Sequence, residues 1–184
     1  MSKKIALMLS GGTESVAALC YALKQGHDVK CYHVVFSNRS SIESEYAEKI
    51  CNSLGVEYHS FEYILPTDVQ VRDTWFWLGP AMVIGSGTDA DEVWYGVHYD
   101  DNIPQMHQID TMFKTMRGLS VPLCTTISKA PLYHLSKKDQ WDMIDVDIKP
   151  LVVYCQRTVR EPCGECGKCK EWNKFVKYAE PKAK

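Results

Sequence analysis

Two groups of residues in this 184-residue chain have types and spacings suited to chemistry. The first is Leu9-Ser10-Gly11-Gly12-Thr13-Glu14-Ser15, which follows a short apolar run and leads straight into a helix-like pattern. Glycines let a backbone turn tightly and approach an anion with no Cβ in the way. A helix start adds N–H groups and a partial positive charge, and Ser10, Thr13 and Ser15 add hydroxyl donors. The lysine of G-x-x-x-x-G-K-[ST] is absent, and the pattern is not G-x-G-x-x-G. By its residues alone the segment is either a phosphate cradle or a glycine-rich strand-to-helix turn.

The second group is Cys155, Cys163, Cys166 and Cys169, spaced C-x7-C-x2-C-x2-C, four of the eight cysteines within fifteen residues. Two overlapping C-x2-C turns bring three thiolates to one point, and Cys155 returns as the fourth. Gly164 and Gly167 ease the turns. Four thiolates with no open position describe a structural Zn2+ site, which commonly supplies folding energy on the order of 10 kcal/mol. An iron–sulfur cluster is the competitor, since C-x2-C-x2-C also opens a ferredoxin run, but the C-P that would follow is missing. The other four cysteines (Cys20, Cys31, Cys51, Cys124) are scattered through apolar segments and suggest no oxidised framework.

The elements that must position these groups alternate. Ile5–Leu9 reads as a buried strand, Glu14–Gln25 as a helix stopped by Gly26, and Asp28–Phe36 as a strand. Ser40 with Glu43 forms a capping box for a helix to Leu54, and Val56–Tyr63 is a third strand. Val69–Ile84 reads as a helix weakened at Gly79-Pro80, Glu92–His98 as a strand, Gln105–Arg117 as a helix and Leu123–Ile127 as a strand. Ser136 with Asp139 opens a helix to Ile144, and Glu171–Tyr178 is the closing helix. This alternation predicts an α/β fold: a mostly parallel twisted, Rossmann-like sheet with helices on both faces, plus a small C-terminal zinc-bound element. Residues 1–150 form the α/β domain, and residues 151–184 form the knuckle and closing helix packed on it as one compact unit.

Composition excludes several classes. Apolar residues make up 45% and charged residues 24%, which argues against disorder. A chain of this size buries roughly 70% of its unfolded surface and needs no disulfide staples. The net charge of −2 gives no overall basic field to recruit nucleic acid. No stretch approaches the roughly 18 consecutive apolar residues of a membrane helix. The apolar run at Ile5–Leu9 is short for a signal peptide and is broken by Ser10-Gly11-Gly12, so a cytoplasmic protein is expected.

The loop resembles the SGGxDS signature of the PP-loop (N-type) ATP pyrophosphatases, with Glu14 where that family has Asp. With the CGxCxxC cluster near the other end, the chain resembles the 7-cyano-7-deazaguanine synthases of the queuosine pathway. Val71-Arg72-Asp73-Thr74-Trp75-Phe76 is similar to the opening of that family's central helix, with Asp73 replacing Asn. Pro131-Leu132-Tyr133-His134-Leu135-Ser136-Lys137 is similar to its P-L-x-x-x-(S/T)-K stretch. Val97-His98-Tyr99-Asp100-Asp101 is similar to the region after its fourth strand, and the family's Y-P-D-C-R-like element has no counterpart here.

The resemblance implies an adenine nucleotide alpha-hydrolase-like fold and an ATP-dependent, C–N bond-forming enzyme. ATP would adenylate the carboxylate of 7-carboxy-7-deazaguanine, ammonia would displace AMP to give the amide, and a second ATP would carry the amide to the nitrile. Leu9–Ser15 would hold ATP, with Ser10, Glu14, Ser15 and Lys137 as the catalytic groups. Arg72, Asp73, Trp75, Asp100 and Asp101 would meet the deazaguanine, with Glu14, Asp100 and Asp101 as candidates for Mg2+. The resemblance also suggests a homodimer.

Trp75-Phe76-Trp77 fits core packing as well as ring stacking, and Lys129 fits either a phosphate contact or a solvated surface. His27, His33, His59, His107 and His134 read as structural or exposed, while His98 stands out beside Asp100 and Asp101. Two other readings remain open at this level. One is a relative that stops at the amide or uses another acceptor. The other is a non-catalytic nucleotide- or nucleic-acid-binding zinc module, which the lysines from Lys168 onward would serve.

Overall fold

The computed structural model describes residues 1–36, 42–64, 79–81, 83–85, 87–99, 111, 114–115, 127–155 and 162–179. Apolar stretches ended by turn residues form five strands among them: β1 (Lys4–Met8), β2 (Asp28–Phe36), β3 (Glu57–Tyr63), β4 (Glu92–Tyr95) and β5 (Ile127–Lys129). All pair parallel, in the order β3-β2-β1-β4-β5. The helices are α1 (Thr13–Lys24), α2 (Ile42–Leu54), α3 (Lys137–Met143) and α4 (Gly167–Ala179), with a 3-10 turn at Lys149–Leu151.

Alternation along β1 explains why the sheet has two covered faces. Ile5, Leu7 and Leu9 point into a core built with Val16, Leu19 and Cys20 of α1 and Ala47, Ile50 and Cys51 of α2. Ala6 and Met8 point the other way, against Tyr32, Val93, Tyr95 and the helical residues Ala81 and Ile84. Such double-sided burial is what a parallel sheet requires. The first core also takes in Trp141 of α3, Val152 and Trp172 of α4, so the C-terminal residues share the main hydrophobic interior.

The strand order reverses at β1. The chain moves outward to β2 and β3, then returns to the other side of β1 for β4 and β5. Right-handed crossovers then put α1 and α2 on one face and the later connection on the opposite one. The reversal falls at the carboxyl ends of β1 and β4, the position at which open α/β sheets bind ligands.

Several sequence expectations shift. β4 stops at Tyr95 rather than His98, because the next residue, Gly96, runs against the first turn of α1. β5 is Ile127–Lys129, whereas the sequence suggested Leu123–Ile127; residues 123–126 lie outside the described residues. α4 starts at Gly167, four residues before the expected Glu171, because the last knuckle turn continues directly into it, with the Lys170 N–H donating to the Cys166 carbonyl at 2.9 Å. The Ser136/Asp139 capping box forms as expected. Ser40, residues 69–78 and 82 of the expected Val69–Ile84 helix and most of Gln105–Arg117 lie outside the described residues.

Candidate active site

The Ser10–Ser15 loop leaves β1 at the reversal point and is braced by its own hydroxyls. Ser15 Oγ donates to the Gly12 carbonyl at 3.1 Å and accepts from the Ser10 N–H at 3.2 Å. Ser10 Oγ lies 3.1 Å from Ser15 Oγ and accepts from the Gly12 N–H at 3.3 Å. Gly11 has φ +79°, a backbone state that L side chains resist. A Cβ there would also press on the Glu43 carbonyl at 3.4 Å. Thr13 Oγ1 is buried with no protein partner, an orphan donor within the loop. Glycine backbone, three hydroxyls and a helix start make a donor set that fits a phosphate chain.

The strand end beneath the loop is pinned as well. The Leu9 N–H donates to the Tyr32 carbonyl at 2.8 Å. The Leu9 carbonyl faces His33 Nδ1 at 2.7 Å; a carbonyl can only accept, so His33 carries a proton there. Burial lowers the pKa of His33, favouring the neutral ring. His33 therefore reads as structural.

Glu14, in the first turn of α1, gathers groups from three other elements. Lys137 Nζ of α3 is 2.9 Å from Glu14 Oε1 and 3.0 Å from Glu171 Oε2 of α4. His98 Nε2, beyond β4, is 3.5 Å from Glu14 Oε1. The side chains of Glu14 and Lys137 are only 15% and 9% exposed. Burial pushes the Glu14 carboxyl upward, but Lys137 and Lys168 outweigh it and hold the group below the ordinary range. Burial likewise opposes charge on Lys137, and Glu14 and Glu171 overcome it, raising that lysine. Both partners are held ionised.

Two residues that the sequence reading did not single out make this approach work. A Cβ on Gly96 would lie 2.3 Å from the Glu14 carbonyl carbon and the Ser15 nitrogen, so only glycine lets β4 pass the loop. Gln140, fully buried on α3, donates through Nε2 to the carbonyls of Val97 at 2.8 Å and Leu132 at 2.9 Å. It fastens the segment carrying His98 to the turn carrying Lys137. Their signals were a glycine directly after an apolar strand and a polar residue on the apolar stripe of a short helix.

Lys129 lies elsewhere. Its Nζ is 2.6 Å from the Glu92 carboxylate, at the opposite end of the sheet from the loop. Arg72, Asp73, Trp75, Asp100 and Asp101 lie outside the described residues.

The four cluster cysteines come together: their sulfur atoms all lie within 4.8 Å of one another. Gly164, at φ +72°, makes the turn between two of them. The N–H groups of Cys166 and Cys169 point to the sulfurs of Cys163 and Cys166, each at 3.4 Å. Burial, with hydrogen bonding among the thiols, pushes Cys169 up to about 12. Four thiols this close ionise together only around a cation, and the set fits a metal ion. The cluster is anchored by Trp172, which stacks on Tyr154 at 3.9 Å and meets Trp141 edge-on at 4.3 Å. A groove of about 380 Å3 runs beside these rings and reaches Val153 and Cys155.

Comparison with known proteins covers the loop directly and most of the chain more loosely. The family model described as queuosine biosynthesis protein QueC matches residues 4–73. The 7-cyano-7-deazaguanine synthase of Methylobacillus flagellatus is 27% identical over 92% of this chain and 90% of its own length. The 7-cyano-7-deazaguanine synthase 2 of Colwellia psychrerythraea is 24% identical over 92% of this chain and 91% of its own. Among solved structures, a 4-thiouridine synthetase in complex with RNA and ATP superposes with TM-score 0.56 at 15% identity, over 95% of this chain and 50% of its own. The U34-tRNA thiolase NcsA of Methanococcus maripaludis, solved with its [4Fe-4S] cluster, gives 0.54 at 15% identity over 97% and 67%. The fold is thus the one these solved structures share, and over nine tenths of its length the chain is similar to the 7-cyano-7-deazaguanine synthases.

Proposed function

We propose that this chain is an ATP-dependent synthase that converts 7-carboxy-7-deazaguanine and ammonia to 7-cyano-7-deazaguanine. The observation that carries the reading is the loop at the reversal of strand order, with Lys137 held against its first helical turn at Glu14. It is supported by similarity to synthases of that name over both ends of the chain.

The substrate carboxylate attacks the α-phosphorus of ATP, and pyrophosphate leaves. The backbone and hydroxyls of Ser10–Ser15 and the ammonium of Lys137 take up the negative charge that grows on the departing group. Ammonia then attacks the acyl carbon, AMP leaves, and the amide forms after loss of a proton. In a second round the amide oxygen attacks the α-phosphorus of another ATP, pyrophosphate leaves, and loss of AMP and of both protons on the amide nitrogen gives the nitrile. No protein nucleophile is needed, since the substrate's own oxygen attacks. Arg72 suits the substrate carboxylate because a guanidinium forks it, with Asp73, Trp75, Asp100 and Asp101 around the ring. Glu14, Asp100 and Asp101 would hold Mg2+, which supplies charge neutralisation at the phosphates. Zn2+ on the four cysteines would be structural. In this reading residues 1–150 bind the nucleotide, residues 151–184 brace them, and the protein works in the cytoplasm.

The test is to incubate the zinc-loaded protein with ATP, Mg2+, ammonium and 7-carboxy-7-deazaguanine and to follow AMP and product mass. The expected result is two AMP per nitrile. An amide end product would replace the synthase reading with a relative that stops one step earlier. Absence of AMP, with the nucleotide still bound, would overturn the enzyme reading.

A further inference from the structure

The cysteine cluster and the phosphate loop are separated by some 140 residues of sequence, yet two independent contacts join them. The Val153 N–H donates to the Gly11 carbonyl at 2.9 Å, two residues before Cys155. Glu171, two residues after Cys169, holds the same Lys137 ammonium at 3.0 Å. Lys168, between Cys166 and Cys169, adds its charge to the field at Glu14. The α4 helix that carries Lys168 and Glu171 is seated by buried Cys169 and Trp172, so its position depends on the same residues that gather the cluster.

We infer that Glu171 is a positioning residue that couples metal loading of the cysteine cluster to nucleotide binding at the Ser10–Ser15 loop through Lys137. A lysine has a long flexible stem and a compact charge, and loses rotamer entropy when it is fixed. Two carboxylates fix it in advance and leave one of its three N–H donors for a phosphate oxygen. One carboxylate is local to the loop, whereas the other arrives only when α4 is seated. Coupling of this kind is reciprocal: a metal that favours nucleotide binding is itself retained better when nucleotide is bound. The inference rests on the proposed function insofar as the loop must bind ATP.

The experiment uses the full-length zinc-loaded protein, Glu171→Gln and the shorter acid Glu171→Asp. Zinc release to a chromogenic chelator is timed with and without Mg2+ and a non-hydrolysable ATP analogue, and binding of the analogue is measured by calorimetry. In the unaltered protein the analogue should slow zinc release roughly fivefold. Glu171→Gln should keep its zinc and melting temperature but lose that protection, and Glu171→Asp should recover part of it. Glu171 is 42% exposed, so neither change empties a core position. Equal protection in the unaltered and Gln proteins would overturn the coupling while leaving the proposed function intact. Protection lost with Gln and not regained with Asp would still support it when zinc content is unchanged. If the unaltered protein binds no analogue, both the proposed function and the coupling fall.

Discussion

Two carboxylates, one at each end of the sheet, show how similar burial leads to different consequences. Glu92, at the amino end of β4, is held by Lys3, by Lys129 at 2.6 Å and by the Trp94 indole N–H at 2.7 Å. Burial alone would raise its pKa, but hydrogen bonds from Lys129, Lys3 and Trp94 bring it down to about 2. Its side chain is 4% exposed and both oxygens have protein partners. Glu14, at the carboxyl end, is also buried beside a lysine, but that lysine is shared with Glu171. A perturbed carboxylate is thus a weak sign of function by itself. What separates the two is the end of the strands on which they stand, since ligands meet open α/β sheets at the carboxyl ends.

That contrast can be broken or sharpened by substitution. The largest effect is expected at the cluster that seats α4. Cys166→Ser should remove the metal and most of the folded yield together, because structural zinc supplies on the order of 10 kcal/mol; metal analysis and thermal melting read both. Normal zinc content in that variant would sink the structural role. Beside the loop, Gly96→Val places carbon where the Glu14 and Ser15 backbone lies, and should cost about 3 kcal/mol and stop AMP formation.

Ser10→Ala and Gly12→Val act chiefly on the loop. AMP formation should fall at least ~100-fold with zinc retained and the melting temperature little changed. Full turnover in either variant would remove the phosphate-loop assignment. At the opposite end Glu92→Gln should do the reverse, costing about 2 kcal/mol of stability and sparing turnover. The sign of its pH dependence follows from the lowered pKa. The Glu92 contribution is complete above the ordinary carboxyl value of 4.5 and is lost as pH falls toward about 2. Acid unfolding of Glu92→Gln should accordingly converge with that of the unaltered protein at the lowest pH. The smallest effect is expected for Lys129→Gln, at most about 1 kcal/mol of stability with turnover unchanged, whereas lost turnover would return Lys129 to the phosphate site.

Much of this architecture was legible in local pattern. β2 spans Asp28–Phe36 as its β-rich run suggested, and α1 and α2 end where Gly26 and Gly55 permit a left-handed turn. The Ser136/Asp139 box caps α3 because its two reciprocal hydrogen bonds need only a three-residue spacing. The partners of Glu14 were less legible. Lys137 entered through a resembled motif, and His98 stood out only for its acidic neighbours. Nothing local marked Glu171 as a partner of Lys137, which lies 34 residues away. Contacts between elements depend on crossover handedness and strand order, neither of which is encoded at any one position.

The sequence by itself determined the elements, the glycine-rich loop and a four-cysteine set fit for a metal, because caps, alternation and short ligand spacings act over a few residues. Only the tertiary structure decided that Lys129 stabilises the far end of the sheet while Lys137 serves the loop. The two lysines are chemically alike, and strand order together with the packing of α3 against α1 brings one to Glu92 and the other to Glu14.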